Sequence, residues 1–462
     1  NPLSRVRLIA PEISETEYCG TFPRADAASL SIMRPVYATH ALKRSPDTKM
    51  ESGMRVLLVG SGGREHALAT CLARSPQLTA LYAAPGNPGI ASVGTLVDIK
   101  ADDVPALITF AKAKKIDLIV PGPEAPLVAG LADACAEAGI PCAGPSQAAA
   151  ALEGSKAFTK EVADAAGIPT ARWERFEDED AAIAFVRLRG APIVVKADGL
   201  AGGKGVVVAQ SIPEAEDAIR RLGMPLVIEE CLVGSEVSLF AFCSDEKAVL
   251  IGAARDHKRL GDGDTGPNTG GMGAISPPPD FDADAQEKAL DISVRPMLAE
   301  MVRRGTPFRG VIFAGLMLTD QGPKLIEYNV RFGDPEAQAL LIRLDSDLLP
   351  ILAALARGEL DNASATFTND ASISLVLAAK GYPDAPKAGG RITGIDRAEA
   401  VPGVSVFHAG TKLTNNVLVA AGGRVLTVCA KAQTPEEARH RAYEGAKAIQ
   451  WEDKIFRNDI GK

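Results

Sequence analysis

The sequence predicts an α/β protein with an N-terminal doubly wound parallel sheet. Three observations carry this reading. An apolar run, Arg55-Val56-Leu57-Leu58-Val59, enters a glycine turn, Gly60-Ser61-Gly62-Gly63, and then a helical pattern through Arg74. Such a run, unbroken by polar residues, suits a parallel strand buried on both faces. Ala80-Leu81-Tyr82-Ala83-Ala84 before Pro85-Gly86-Asn87-Pro88-Gly89 repeats the order, and Ile116-Asp117-Leu118-Ile119-Val120 before Pro121-Gly122-Pro123-Glu124 repeats it again. Finally, 44 glycines and 31 prolines beside only 5% aromatic residues fit a chain rich in tight turns.

The 462 residues suffice for roughly three domains. The boundaries we expect are 54–154 for the first domain, 155–348 for the second and 349–462 for a small α+β domain. Residues 1–53 show little periodicity and lack the apolar centre of a secretory signal. We expect Met54 to be the natural start and the preceding stretch to be a leader outside the fold; an organelle transit segment is the alternative. A net charge of −8 with no long basic run argues against nucleic acid as a partner. No apolar run is long enough for a membrane helix. Seven scattered cysteines without a C-x-x-C pair read as reduced thiols in a cytoplasmic protein.

In a doubly wound sheet, the loops at the strands' carboxyl ends gather where ligands bind. Gly62, Gly63, Arg64, Gly86, Asn87, Gly122 and Glu124 then line one cleft, with Glu124 placed for a sugar hydroxyl. The first loop offers backbone N–H groups at a helix N-terminus, a cradle for a phosphorylated ligand; a purely structural turn is the alternative. Glu65 stands where a dinucleotide fingerprint needs its third glycine, which disfavours a nicotinamide or flavin cofactor.

Residues 155–188 read as mostly helical, with a break at Ile168-Pro169. Ile193-Val194-Val195-Lys196, a glycine loop ending in Lys204-Gly205, and Val206-Val207-Val208-Ala209 form a hairpin that can fold over phosphates. Lys196 and Lys204 supply the counter-charge. Residues 226–236 read as a connecting segment whose backbone can meet an adenine edge, while Glu236 suits ribose hydroxyls. The stretch 261–273 is too glycine-rich for a regular element, and loops of that length are usually functional or disordered. Its Asp-Gly-Asp lacks the closing glutamate of a calcium loop.

The stretch around which the chain is organised is 326–336. Val311–Leu318 and 324–330 read as a hairpin turning at Asp320-Gln321-Gly322. Alternation puts Glu327, Asn329 and Arg331 on one face. Two oxygen ligands suit a hard divalent cation, and a guanidinium suits phosphate. A helix is expected from about 337 to 357. Strands follow at 372–379, 403–413 and 424–432, and a final helix at 435–450.

Together these motifs resemble the ATP-grasp ligases and, within them, the glycinamide ribonucleotide synthetase (phosphoribosylamine–glycine ligase) family. The resemblance runs from Met54 to Lys462. It rests on 60–66, 85–89, 122–127, Leu152-Glu153-Gly154-Ser155-Lys156, 196–205, 256–259, 265–273, 327–336 and Phe407-His408-Ala409-Gly410-Thr411. It implies an ATP-grasp fold for the central domain, with a mobile lid at about 170–240. It also implies that ATP, glycine and 5-phosphoribosylamine give glycinamide ribonucleotide, ADP and phosphate through glycyl phosphate, in purine synthesis. Glu327 and Asn329 would hold Mg²⁺ or Mn²⁺. Lys156, Lys196, Lys204, Glu229, Glu230, Leu232 and Glu236 would bind ATP. Arg331, Lys204 and Asp256 would act in catalysis, and Asp256, Lys258, Gly333 and Asp334 would meet the small substrates. We expect a monomer, with the preceding pathway enzyme as a channelling partner.

Three departures stand out. Gly202 replaces the family's usual alanine. The 218–227 segment is short, and Gly315-Leu316-Met317-Leu318 carries no acid, so the metal would lean on phosphates and water. The rival readings are another ATP-grasp ribonucleotide ligase or carboxylase, a nucleotide-binding protein without turnover, and a dehydrogenase.

Overall fold

The computed structural model describes residues 53–202 and 205–462. The leader 1–52 and Lys204 lie outside them. The N-terminal sheet is parallel, in the order Thr95–Leu96, Leu78–Pro85, Met54–Gly60, Leu118–Pro121. Its direction of winding reverses beside Met54–Gly60, the switch point at which such sheets open a crevice. The uninterrupted apolar run serves two cores because successive side chains face opposite ways. Leu57 and Val59 pack with Leu107, Ala111 and Leu131 of the covering helices. Val56 and Leu58 pack with Phe240, Phe242, Phe332 and Leu340.

The segment expected to form a lid contains a separate four-stranded sheet, in the order Trp173–Phe176, Leu226–Glu230, Ile193–Ala197, Val206–Ala209. Helices Glu179–Arg189 and Ile212–Leu222 cover it, each started by a side-chain cap, Asp178 and Ser211. The expected helical stretch 155–188 is thus two helices, Lys156–Ala165 and Glu179–Arg189, with the Trp173–Phe176 strand between them. The β-rich Trp173-Glu174-Arg175-Phe176 pairs with Leu226–Glu230, which a helical reading missed.

The main sheet has nine strands. Its path runs Gly322–Asn329, Arg309–Thr319, Ser235–Ser244, Lys247–Asp256, Gly273–Ser276, Ala371–Ala379, Arg424–Ala432, Val404–His408, and Lys454–Ile455 adds to Ala371–Ala379. The strands expected to form a separate C-terminal domain therefore continue the ladder that carries Glu327. The joint is Gly273–Ser276 against Ala371–Ala379, with Ala274 opposite Ser374.

Three expectations are corrected. The 261–273 stretch contains a small hairpin, Arg259–Gly261 against Thr265–Asn268. Glycine there does not prevent pairing: Gly263, Asp264 and Gly266 take positive φ in and beside the turn, as a tight hairpin requires. The single helix 337–357 is two, Glu336–Leu341 and Leu348–Arg357. Between them the Asp345 amide donates to Thr366 O (2.9 Å), and Asp347 caps the second helix. The 403–413 strand is likewise two, Val404–His408 and Thr411–Thr414.

Candidate active site

Glu327 and Asn329 end the Gly322–Asn329 strand on one face, as alternation requires. Burial favours the protonated form of Glu327, yet Lys258, Lys196, Lys156 and Arg331 outweigh it and hold its carboxyl below the usual range. Among the described residues Glu327 touches none of these cations and accepts no hydrogen bond. One acid inside a field of four cations, with no direct partner, is a place for further anions.

Each cation is positioned by a different element. Lys156 opens the helix Lys156–Ala165, where Ser155 Oγ and the Lys156 amide both donate to Asp198 Oδ1 (3.0 and 2.7 Å), while Lys156 Nζ donates to Gly199 O (2.8 Å). Burial pulls the Lys156 ammonium down from its ordinary pKa. Lys196 is buried on the lid strand. Its Nζ lies 2.8 Å from Glu229 Oε1 and 3.5 Å from Ile326 O on the Gly322–Asn329 strand. Glu229 Oε2 also pairs with Lys160 Nζ at 3.0 Å. Lys160 was not foreseen as part of the site. It is 1% exposed, donates to Thr170 Oγ1 (2.7 Å), and is pulled down to about 8 by burial against the pull of Glu229.

The structure therefore gives the carboxylate of Glu229, expected at adenosine, to two lysines. Glu230 points to the other face of the same strand, where Arg172 Nε donates to it at the surface (3.0 Å). Leu232 lies half-buried in the connector, and Glu236 is ion-paired with Lys258. Burial lowers the Lys258 pKa, but Glu236, Glu327 and Asp256 raise it further, so it is firmly charged.

Arg331 is clamped. Its Nη2 donates to Glu153 Oε1 (2.8 Å) and Asn329 Oδ1 (3.1 Å), and its Nε donates to Glu124 Oε2 (3.1 Å). Glu153, a motif residue given no role from sequence, also accepts the Val330 amide through Oε2 (2.7 Å). Burial holds the Glu153 carboxyl above its ordinary range despite Arg331, whereas Arg331 and Arg64 outweigh burial at Glu124 and keep it low. Glu124 is thus engaged with Arg331 rather than standing clear for a sugar.

The first glycine loop differs from the phosphate cradle we expected. Glu65 folds back and accepts the Gly62 amide, and Arg64 Nε donates to it at 2.6 Å. A Cβ on Gly122 would lie 2.0 Å from Glu65 Oε1, and one on Gly60 2.6 Å from Glu65 Cγ. The chain's own carboxylates stand at this helix N-terminus, Glu65 taking the Gly62 amide and Asp334 the Arg64 amide. Gly63 abuts Gln338, where a Cβ would lie 2.5 Å from Nε2. Arg64 turns inward to Phe332 O (2.9 Å).

Asn87, after Gly86 at φ +70°, is a buried knot. Its Nδ2 donates to Ser61 O (2.9 Å) and His408 O (2.8 Å), and its Oδ1 accepts the amides of Gly89 (2.9 Å) and Ile90 (3.0 Å). His66 Nδ1 accepts the His408 amide at 2.8 Å. These two residues join the first domain to the Val404–His408 strand.

Lys258, which faces Glu327, also faces Asp256, and Asp256, Glu336 and Asp334 make a chain of neighbouring acids. Asp256 is half-buried; its Oδ1 is buried with no hydrogen-bond partner, and desolvation beside Glu336 pushes its carboxyl well up. Gly333 and Gly271 leave no room for side chains there: a Cβ would lie 2.5 Å from Glu336 Oε2 and 2.6 Å from Asp256 Oδ1. Asp334 accepts the Arg64 amide (3.1 Å) and Gln338 Nε2 (2.9 Å), and pairs with Arg424 (3.4 Å), a residue the motifs did not flag.

The donor set fits a divalent ion only in company with phosphates. Among the described residues no group of three or more acidic, histidine or cysteine side chains could hold a metal ion. Among the described residues the Glu327 carboxylate makes no ion pair, so its oxygens are free for a metal ion. Asn329 Oδ1 accepts from Arg331 and has a second lone pair to give. Among the described residues, no helix is long and apolar enough to cross a membrane.

Profiles described as the N domain, the ATP-grasp (A) domain and the C domain of phosphoribosylglycinamide synthetase match residues 54–153, 154–337 and 372–462. The phosphoribosylamine–glycine ligase of Brucella melitensis is 52% identical over 88% of this chain and 97% of its own length. That of Agrobacterium fabrum is 53% identical over 88% and 98%. The crystal structure of the Thermotoga maritima phosphoribosylamine–glycine ligase superposes with a TM-score of 0.76 at 34% identity, covering 88% of this chain and all (100%) of that one. The biotin carboxylase domain of Hydrogenobacter thermophilus 2-oxoglutarate carboxylase, solved with MgADP and bicarbonate, shares the fold (TM-score 0.68, 19% identity, 88% and 92% covered). With its ATP-grasp domain set between matching N and C domains, the chain belongs to the phosphoribosylglycinamide synthetase family.

Proposed function

We propose that the cation field around Glu327 is the seat of an ATP-dependent acyl-phosphate chemistry that joins glycine to 5-phosphoribosylamine. The chain is a carbon–nitrogen ligase of purine synthesis. It converts ATP, glycine and phosphoribosylamine to glycinamide ribonucleotide, ADP and phosphate. The observation that carries the site assignment is the single acid, Glu327, ringed by Lys156, Lys196, Lys258 and Arg331 and in contact with none of them among the described residues.

In this reading Lys156 and Lys196 bind the phosphates of ATP, with Lys204 added from the lid loop. Glu229 holds Lys196 in place and leaves the connector 230–232 to meet the base through its backbone. Glu236 remains the candidate for ribose. A divalent ion, Mg²⁺ or Mn²⁺, would be held by Glu327 and Asn329, and would neutralise charge on the transferring phosphoryl group.

The glycine carboxylate attacks the γ-phosphorus, and ADP leaves. Arg331, fixed by Glu153, Glu124, Asn329 and Phe332 O, presents its one remaining Nη1 donor to the acyl phosphate. Asp256 offers an unpaired buried oxygen beside Glu336, a match for the glycine ammonium. The amine of phosphoribosylamine then attacks the acyl carbon, the C–O bond to phosphate breaks with its electron pair on the departing phosphate, and the proton lost by the amine passes to that phosphate. That amine needs no catalytic serine, cysteine or histidine. The lid and the 259–268 hairpin keep water from the acyl phosphate. A monomer fed by the preceding enzyme completes the reading.

The test is release of ADP with each acid and amine in turn. Turnover is expected with glycine plus phosphoribosylamine. Turnover with bicarbonate and an aminoimidazole ribonucleotide instead would reassign the chain to the carboxylating ATP-grasp enzymes.

A further inference from the structure

The 259–268 hairpin has little apolar support. Thr265–Asn268 is exposed throughout, so packing on a core does not set its position. It is tied instead to residues 457–460. Arg457, 2% exposed, donates through Nη1 to Arg259 O (3.1 Å) and Asp264 Oδ1 (2.7 Å), one on each side of the turn. Its Nε and Nη2 grip Asp459 (2.8 and 2.7 Å), and Asp459 Oδ2 accepts the Gly263 amide (2.7 Å). Asp262 accepts from the Asn458 amide (2.7 Å) and from Asn458 Nδ2 (3.0 Å). Every residue of the Asp262-Gly263-Asp264 turn is thereby held by this segment.

The segment is itself anchored. Tyr443 OH donates to Arg457 O (2.9 Å) and accepts the Ile460 amide (3.0 Å), while Arg439 Nη2 donates to Asn458 O (2.8 Å). Ile460 is fully buried and presses on Gly273, where a Cβ would come within 3.0 Å of it.

At its other end the hairpin leads straight into the small-substrate side. The Thr269 amide donates to Lys258 O (2.7 Å) and the Met272 amide to His257 O (2.9 Å). Gly271, between them, lies against Asp256 Oδ1. A rigid path therefore runs from helix Pro435–Ala448 through Arg457 and the hairpin to Asp256 and Lys258.

We propose that Arg457 is a positioning residue for the small-substrate pocket: by locking the Asp262-Gly263-Asp264 turn it sets where Gly271, Asp256 and Lys258 stand. It touches no reacting atom, and the lid and phosphate lysines do not depend on it. The inference rests on the reading that Asp256 faces glycine.

Steady-state kinetics of Arg457→Met and, because that variant can fail to fold, of Asp264→Asn and Asn458→Ala at exposed positions, test it. The KM for glycine is expected to rise about tenfold in Arg457→Met and severalfold in the other two, with the KM for ATP within twofold of the parent. An unchanged glycine KM in Asp264→Asn and Asn458→Ala, or equal rises in the glycine and ATP KM values, overturns the proposal. Asp256→Asn separates the two layers. If it leaves the glycine KM unchanged, the assignment of the pocket fails. If it raises that KM while the turn variants do not, only the latch fails.

Discussion

Glu229→Gln isolates the buried lysine pair. Glu229 is 3% exposed and faces Lys196 at 2.8 Å and Lys160 at 3.0 Å. Losing one partner of a buried pair costs about 3–5 kcal/mol when the remaining charge cannot escape. Lys160 has an escape. Its pKa is already about 8, so deprotonating it at pH 7 costs about one further unit, or about 1.4 kcal/mol. Lys196 keeps only Ile326 O at 3.5 Å, so its share is about 2 kcal/mol, the order expected for an under-solvated buried ammonium. The sum is about 3 kcal/mol at pH 7.

The sign with pH follows. A lysine whose folded pKa lies below its unfolded one loses its proton first in the folded state. Stability is then gained as pH rises from about 8 towards 10.5. The deficit of the variant should therefore shrink by about 1 kcal/mol between pH 7 and pH 9. Urea unfolding of parent and variant at both pH values measures this, followed by the fluorescence of Trp173 on the lid. A deficit under about 1 kcal/mol at pH 7, or one that widens as pH rises, would refute the reasoning.

Four further outcomes are expected. Glu327→Gln should lower kcat by about a hundredfold or more with only a modest loss of stability at neutral pH, since it removes the counter-charge of four cations but no direct partner; near-parental turnover would remove the metal assignment. Arg331→Lys should lose both activity and about 2 kcal/mol of stability, because one ammonium cannot serve Glu153, Glu124 and Asn329 together; urea titration beside ADP release reads both. His66 and His408, held by burial to about 3 and about 4, are neutral in the fold and take up protons in the unfolded chain. Stability should fall as pH drops below 6.5 towards 4, by about 1.4 kcal/mol per unit for each histidine, and a stability curve flat over that range would exclude the effect. Gly122→Ala should cost about 1–3 kcal/mol in urea unfolding, because its methyl group would meet the Glu65 carboxylate; a neutral result would mean Glu65 does not fill the loop.

Much of this was legible because it is periodic. The strand at Met54–Gly60, the hairpin that ends at Asn329, and the shared face of Glu327 and Asn329 follow from a two-residue repeat that no tertiary contact overrides. What escaped was decided by partners far away in the chain. Glu65 looks like a failed glycine of a phosphate loop until Gly60 and Gly122 close over it. Lys160 looks like an ordinary helix-surface lysine, and only the lid strand reveals it as buried. Glu229 and Glu230 are adjacent and chemically alike, yet one lies between two lysines and the other at the surface with Arg172. Lys160 sits one helical turn after Lys156, on the same face, and that i, i+4 spacing was the available signal. Arg424 carried none, because its strand reads as an ordinary one and its role comes from Asp334 across the sheet.

The nine-stranded ladder has a mechanical consequence. Ala371–Ala379 is hydrogen-bonded to Gly273–Ser276 on one side and Arg424–Ala432 on the other, and the pairing of Arg255 and Asp256 with Ile275 and Ala274 carries the ladder on to the strand of Glu327. Cutting the chain ahead of residue 371 would not release a module. It would expose an unpaired sheet edge through the middle of the protein. The frame that carries Glu327 and the carboxyl-terminal strands is one continuous ladder, and the small sheet of residues 173–230 stands apart from it.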